Sequence, residues 1–175
     1  MASLSGKVAV VTGGSRGIGR AVAERLAKDE ASVVVNYVRS ADKATEVVSA
    51  IRSRGGHALA VRADLSKLAD IRGLFEETVA HFGHLDVLVH SAGVFQPKAF
   101  TEVTEEEFDA AFALQAKGTF FVLQEAARRI RDGGRIINIS SGGTAMVFPG
   151  RGALCREQGR GRTIHQDVGQ RTGWA

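Results

Sequence analysis

The sequence predicts an α/β protein built on a doubly wound parallel sheet. Two observations carry that expectation. Short, almost wholly apolar runs alternate with amphipathic stretches at helical spacing, and glycines punctuate the joins. Strands apolar on both faces belong in a parallel sheet covered by helices on each side. Right-handed crossovers then wind the chain outwards from the centre.

"KVAVVTGG" (7–14) is a β-branched run closed by glycine, a buried strand. "GIGRAVAERLAKD" follows with Ile18, Val22 and Leu26 four apart, the expected core face of a helix. "SVVVNY" is the second strand, and "ADKATEVVSAIRSRG" a helix closed by Gly55 and Gly56. Asp42 sits near the start of that helix, where an acid favours the exposed amides. "HALAVRADL" is the third strand, before a helix "IRGLFEETVAHFG" stopped at Gly83. "LDVLVHSAG" is the fourth strand. One long helix is expected over "TEEEFDAAFALQAKGTFFVLQEAARRIRDGG", opened by Thr104 with Glu107 three residues on as a capping box. "RIINISSGG" is the fifth strand. Two segments result: 1–150 is a dinucleotide-binding domain and 151–175 an irregular tail.

Composition excludes several classes. The chain has 175 residues, 44% of them hydrophobic and 24% charged, as in a soluble globular protein with a real core. Its net charge is +4, but residues 151–175 hold five Arg against Glu157 and Asp167. The patterned body is therefore near neutral, and no nucleic-acid partner is expected. No basic start precedes a long apolar run, and no run is long enough to cross a bilayer, so neither a leader nor a membrane partner is expected. The single cysteine, Cys155, suits a reducing cytoplasm. No metal site is expected.

The first strand–helix turn is "TGGSRGIG", contributing Thr12, Gly13, Ser15, Arg16, Gly17, Ile18 and Gly19 as candidates. Its glycines let backbone approach a pyrophosphate, and the following helix points free N–H groups towards it. A glycine-rich connector is the plainer alternative, but the strand–turn–helix context favours a dinucleotide. An NAD site wants a carboxylate roughly 20 residues further on, for the ribose 2′-hydroxyl. Here the second strand ends in "NYVRS", which places Asn36, Tyr37, Arg39 and Ser40 there and no acid. Arg39 and Arg16 suit a 2′-phosphate, so NADP is expected, with NAD as the alternative. A solvated surface charge is the other reading of Arg39.

Three motifs in order, "TGGSRGIG", "HSAG" (90–93) and "IINISS" (136–141), resemble the short-chain dehydrogenase/reductase family from residue 5 to about 150. Within it the sequence is most similar to the 3-oxoacyl-carrier-protein reductase group. The resemblance implies a Rossmann-type three-layer sandwich, incomplete here because the family's fold needs two further strands. It also implies NAD(P)-dependent ketone reduction or secondary-alcohol oxidation on a small molecule, in homodimers or homotetramers. By the same resemblance Asp64, with Leu65 beside it, meets the adenine; a turn aspartate is the alternative. Ser91, Ala92 and Gly93 let the cofactor lie against the strand end. His90 stands where the family has Asn, and reads more readily as a packed, hydrogen-bonded residue than as a catalyst. Ser141 matches the serine that holds the substrate oxygen. Gln115, in "QAKG", stands at the family's asparagine, one methylene longer; an exposed helix residue is the alternative.

The family's Tyr-x-x-x-Lys should follow Gly150. Leu154 and Gln158 stand in those places, the only tyrosine is Tyr37, and no lysine follows Lys117. Read one nucleotide later, the codons of Leu154–Gly159 permit Tyr-Ala-Ala-Ser-Lys. The tail is therefore expected to be out-of-frame translation of a reductase gene. A non-catalytic dinucleotide-binding or regulatory protein is the alternative.

Overall fold

The computed structural model describes residues 3–94 and 98–141. The expected tail, with Leu154 and Gln158, lies outside them. Five strands, β1 (Val8–Thr12), β2 (Ser32–Tyr37), β3 (Ala58–Arg62), β4 (Leu85–His90) and β5 (Ile130–Asn138), form one parallel sheet in the order β3-β2-β1-β4-β5. The chain runs outwards from β1 to β3, then returns to the other side of β1 for β4. The carboxyl ends of β1 and β4 thus flank the point where winding direction reverses, the usual ligand crevice of such sheets.

Alternate strand residues face opposite layers. Val11, Val33 and Val35 pack with Ala23 of α1 (Gly17–Lys28) and Val47 and Ile51 of α2 (Ala41–Arg52). Val10, Val34 and Leu88 pack on the other face with Leu74 and Phe75 of α3 (Leu68–Phe82) and Val122 of the last helix. β1 and β4 are also pinned at their far end, where buried Asp86 accepts the Val8 amide at 2.9 Å and meets Lys7 Nζ at 3.2 Å.

Two expectations need correction. Ile18 is not on the core face of α1: it is 62% exposed, and the buried positions are Gly19 and Ala23. The helix lies so close to the turn that a Cβ on Gly19 would stand 2.4 Å from the Gly13 carbonyl oxygen, while Val22 and Leu26 pack against the core as expected. The long helix is also interrupted. It opens at Thr104 with the expected capping box, runs as α4 (Glu105–Phe112), widens to a π turn over Ala113–Gly118, and continues as α5 (Thr119–Arg129). At the wide turn the Gly118 backbone reaches the β3 layer, where an added Cβ would be 2.4 Å from the Leu65 carbonyl oxygen. The chain is extended from Ile130, earlier than expected. β5 pairs there with Leu85, bulges through Gly133 (φ +78°), and resumes at Arg135 opposite Val87.

Candidate dinucleotide site

A cleft of about 990 Å³ opens at the reversal point. That is ample for a cofactor with a small substrate. Its floor is the glycine turn. Gly13 (φ +63°) approaches β4 so closely that a Cβ would lie 3.0 Å from Ala92 Cα. Gly17 (φ +55°) has open space where its side chain would be, so bare backbone faces the cleft at the start of α1. Ser15, Arg16 and Ile18 border the same opening. Bare turn backbone at a helix start is of a kind that fits a pyrophosphate.

At one end, Tyr37 closes β2 and Arg39 and Ser40 follow it onto the wall. Among the described residues no carboxylate forms an ion pair with Arg39 or Arg16. Asn36 borders the cleft but is 1% exposed, and its amide is engaged inside. Its Oδ1 accepts the Gly13 amide at 3.2 Å, and its Nδ2 donates to the Ala63 carbonyl at 3.0 Å. It anchors the turn to β2 and β3. Asp64 borders the cleft and forms a turn, as its alternative reading had it: its Oδ1 accepts the Ser66 hydroxyl at 2.7 Å and the Ser66 amide at 3.0 Å. The Ser66 hydroxyl, with Lys67 and Arg39 nearby, holds its carboxyl below the usual range against a smaller opposing effect of burial. Leu65 borders the cleft beside it with its side chain in the core.

The other end is formed by Ser91, Ala92 and Gly93 after β4, Ser141 after β5 and Gln115 on the π turn. Gln115 Oε1 lies 3.4 Å from the point a Gly93 Cβ would occupy, so these two elements meet in the cleft. Ser141 and Gln115 thus both border the cleft.

Thr12 and His90 do not border the cleft; both are buried behind it. The Thr12 hydroxyl oxygen accepts the amides of Ser91 at 3.0 Å and Ala92 at 3.1 Å, joining the ends of β1 and β4. His90 bridges Thr12 and Thr119, at 2.9 and 3.0 Å. Burial lowers its pKa to about 4, so the ring is neutral near pH 7. It is a packed, hydrogen-bonded residue behind the cleft. Sequence reasoning missed Thr119, Gly118 and the Lys98–Glu107 ion pair (2.7 Å) at the cleft's edge. Only the capping-box spacing hinted at Glu107. No group of three metal-ligating side chains and no membrane-length apolar helix occurs among the described residues.

This glycine cradle at the β1/β4 reversal, followed by small residues after β4 and serines after β5, agrees with comparison to known proteins. A profile of the short chain dehydrogenases matches residues 7–154. The chain belongs to that family. It is 50% identical over 149 residues to an uncharacterised oxidoreductase of Methylorubrum extorquens, covering 85% of this chain and 60% of that one. It is 50% identical over 138 residues to elsinochrome reductase 1 of Elsinoe fawcettii, covering 79% and 52%. A dehydrogenase/reductase from Sinorhizobium meliloti superposes with TM-score 0.87 at 42% identity, over 90% of this chain and 63% of that one. A short chain dehydrogenase of Burkholderia cenocepacia, solved with NADP, gives 0.85 at 36%, over 89% and 64%. The chain thus spans only some 52–60% of the length of these two curated relatives. It has the Rossmann-type sheet expected of that family.

Proposed function

We propose that the chain binds NADP(H) in this cleft and descends from a reductase acting on a ketone or its secondary alcohol. The observation that carries the cofactor choice is the wall after β2, where Arg39 and, across the turn, Arg16 border the cleft and no acid stands at the strand end. Gly13, Gly17 and Gly19 would cradle the pyrophosphate, Asp64 the adenine, and Ser91–Gly93 the nicotinamide side. The Burkholderia relative solved with NADP supports the same choice. When bound, the nicotinamide supplies or accepts a hydride. Ser141 would hold a substrate oxygen and Gln115 would orient water or substrate beside it. No tyrosine or lysine stands at the family's acid positions, since Leu154 and Gln158 occupy them. This chain would therefore bind but not turn over, and residues 151–175 are best explained as out-of-frame. The same lack favours a second reading, a non-catalytic dinucleotide sensor in the cytoplasm; an in-frame Tyr-x-x-x-Lys one base away in the gene would exclude it.

Cofactor choice is tested by calorimetric titration with NADPH and NADH. NADPH is expected to bind at least about tenfold tighter, the worth of one charge-assisted phosphate contact. Arg39→Asp should reverse the order. Equal affinities in the parent chain would overturn the assignment.

A further inference from the structure

Behind the cleft, Thr12, His90 and Thr119 form a hydrogen-bonded chain whose proton positions can be counted. Thr12 Oγ1 accepts two backbone amides, from Ser91 and Ala92. A hydroxyl oxygen has two lone pairs and one proton, so the proton must point to the remaining neighbour, His90 Nδ1 at 2.9 Å. Nδ1 is then the acceptor, and the ring proton sits on Nε2, donating to Thr119 Oγ1 at 3.0 Å.

We propose that His90 is a positioning residue for the cofactor: as the neutral Nε2–H tautomer it couples Thr119, at the start of α5, to the Ser91–Ala92 backbone bordering the cleft. This rests on the cofactor reading above. None of the three side chains borders the cleft, yet every partner they hold leads to it. Ala92 Cα lies 3.0 Å from where a Gly13 Cβ would stand, so a shift of a few tenths of an ångström at Thr12 is felt by both walls. On the far side, Thr119 follows Gly118, whose backbone abuts Leu65, and continues the turn that places Gln115 against Gly93. The long helix is thus set against the adenine-side loop at Gly118, the nicotinamide side at Gln115, and the strand ends through His90. The two side chains hydrogen-bonded to the ring, Thr12 from β1 and Thr119 from α5, are uncharged, as is Asn138, its strand-pairing partner on β5. A proton on Nδ1 as well would leave two protons between His90 and a Thr12 oxygen with no free lone pair.

The test begins with the cofactor-free chain, its histidine rings labelled with nitrogen-15. His90 should show the Nε2–H tautomer at pH 7; an Nδ1–H or charged ring overturns the proposal. Adding NADPH should shift His90 Nδ1 although the ring is outside the cleft, and an unmoved signal under saturating NADPH counts equally against it. Thr119→Val should weaken NADPH binding about three- to tenfold, the loss of roughly one net hydrogen bond, while Thr119→Ser keeps parent affinity. In a His90→Leu background Thr119→Val should add no further loss. Parent affinity in Thr119→Val, or an undiminished second loss in the double variant, sinks the coupling alone. A parent chain that binds no NADPH sinks the cofactor reading and the positioning role with it.

Discussion

Gly17 and Gly19 lie two residues apart in one turn and are needed for different reasons. A methyl on Gly19 would meet the Gly13 carbonyl oxygen at 2.4 Å, and backbone cannot step aside as a flexible side chain can. Gly19→Ala should therefore cost about 1–3 kcal/mol by denaturant titration and also abolish measurable NADPH binding. A methyl on Gly17 meets nothing within 4 Å, so Gly17→Ala carries only the left-handed strain of φ +55°, about 1–2 kcal/mol. Its methyl enters the space proposed for the pyrophosphate, so affinity should fall well beyond the stability loss. Equal ratios of affinity to stability in the two variants would contradict this division. His90 offers a pH test at the same scale. Its folded pKa, about 4, lies below the ordinary 6.5, so the unfolded chain takes up the proton first. The ring's contribution is complete above about pH 6.5 and is lost as pH falls towards 4, at roughly 1.4 kcal/mol per unit. Between pH 6.5 and 5 the parent should lose stability by that slope relative to His90→Asn; parallel curves would refute it. That His90 would be packed was legible from its place at a strand end. Its partner Thr119 was not, because they are 29 residues apart and only the folded helix brings them together.

The elements themselves were largely readable, because β-branched runs and glycine stops are local signals. Gly83 ends α3 in the left-handed conformation, as its position after Phe82 implied. What could not be read was contact geometry. The helix period of α1 grouped Ile18 with Val22 and Leu26, and those two do pack against the core, but the closest contact is at Gly19 and Ile18 is left exposed. The run from Thr104 read as one helix, since nothing in "ALQAKG" announces a π turn. The fit of Gly118 against Leu65 accompanies it and depends on a residue from another layer. The α3–α5 joint was equally hidden. Glu125 is 2% exposed, and although burial alone would raise its pKa, Arg129 and Arg128 bring it below the usual value, with Arg72 of α3 at 3.9 Å. One glycine in these helices serves no contact. Gly73, inside α3, has nothing within 4 Å of an added Cβ and no left-handed φ. Gly73→Ala should stabilise the protein by about 0.5–1 kcal/mol, because it restricts the unfolded chain without strain. A lower melting temperature would show that the helix packs on that position after all.

At the scale of the whole molecule, the proposed function separates binding from chemistry. The described residues line a cleft whose glycine turn fits a dinucleotide, and Ser141 and Gln115 border it. A proton donor is the missing part: hydride transfer to a ketone leaves an alkoxide, and a positioned acid is typically worth about 10²–10⁴ in rate. Leu154 cannot give a proton and Gln158 cannot place a charge beside a phenol. The chain is therefore expected to bind NADPH without oxidising it at a measurable rate, across a panel of ketones and 3-oxoacyl thioesters. Installing Leu154→Tyr and Gln158→Lys together should not restore turnover. The arginines and glycines around them provide no apolar period for a helix, and reaction demands aligned reactants at close range. Deleting one nucleotide before the Leu154 codon, and supplying the rest of a full-length reading frame, should restore it. The assay is loss of NADPH absorbance, run side by side on the present chain, the double variant and the frame-restored protein. Turnover confined to the last places the acid in the shifted frame, whereas ready turnover by the 175-residue chain would mean that another side chain delivers the proton.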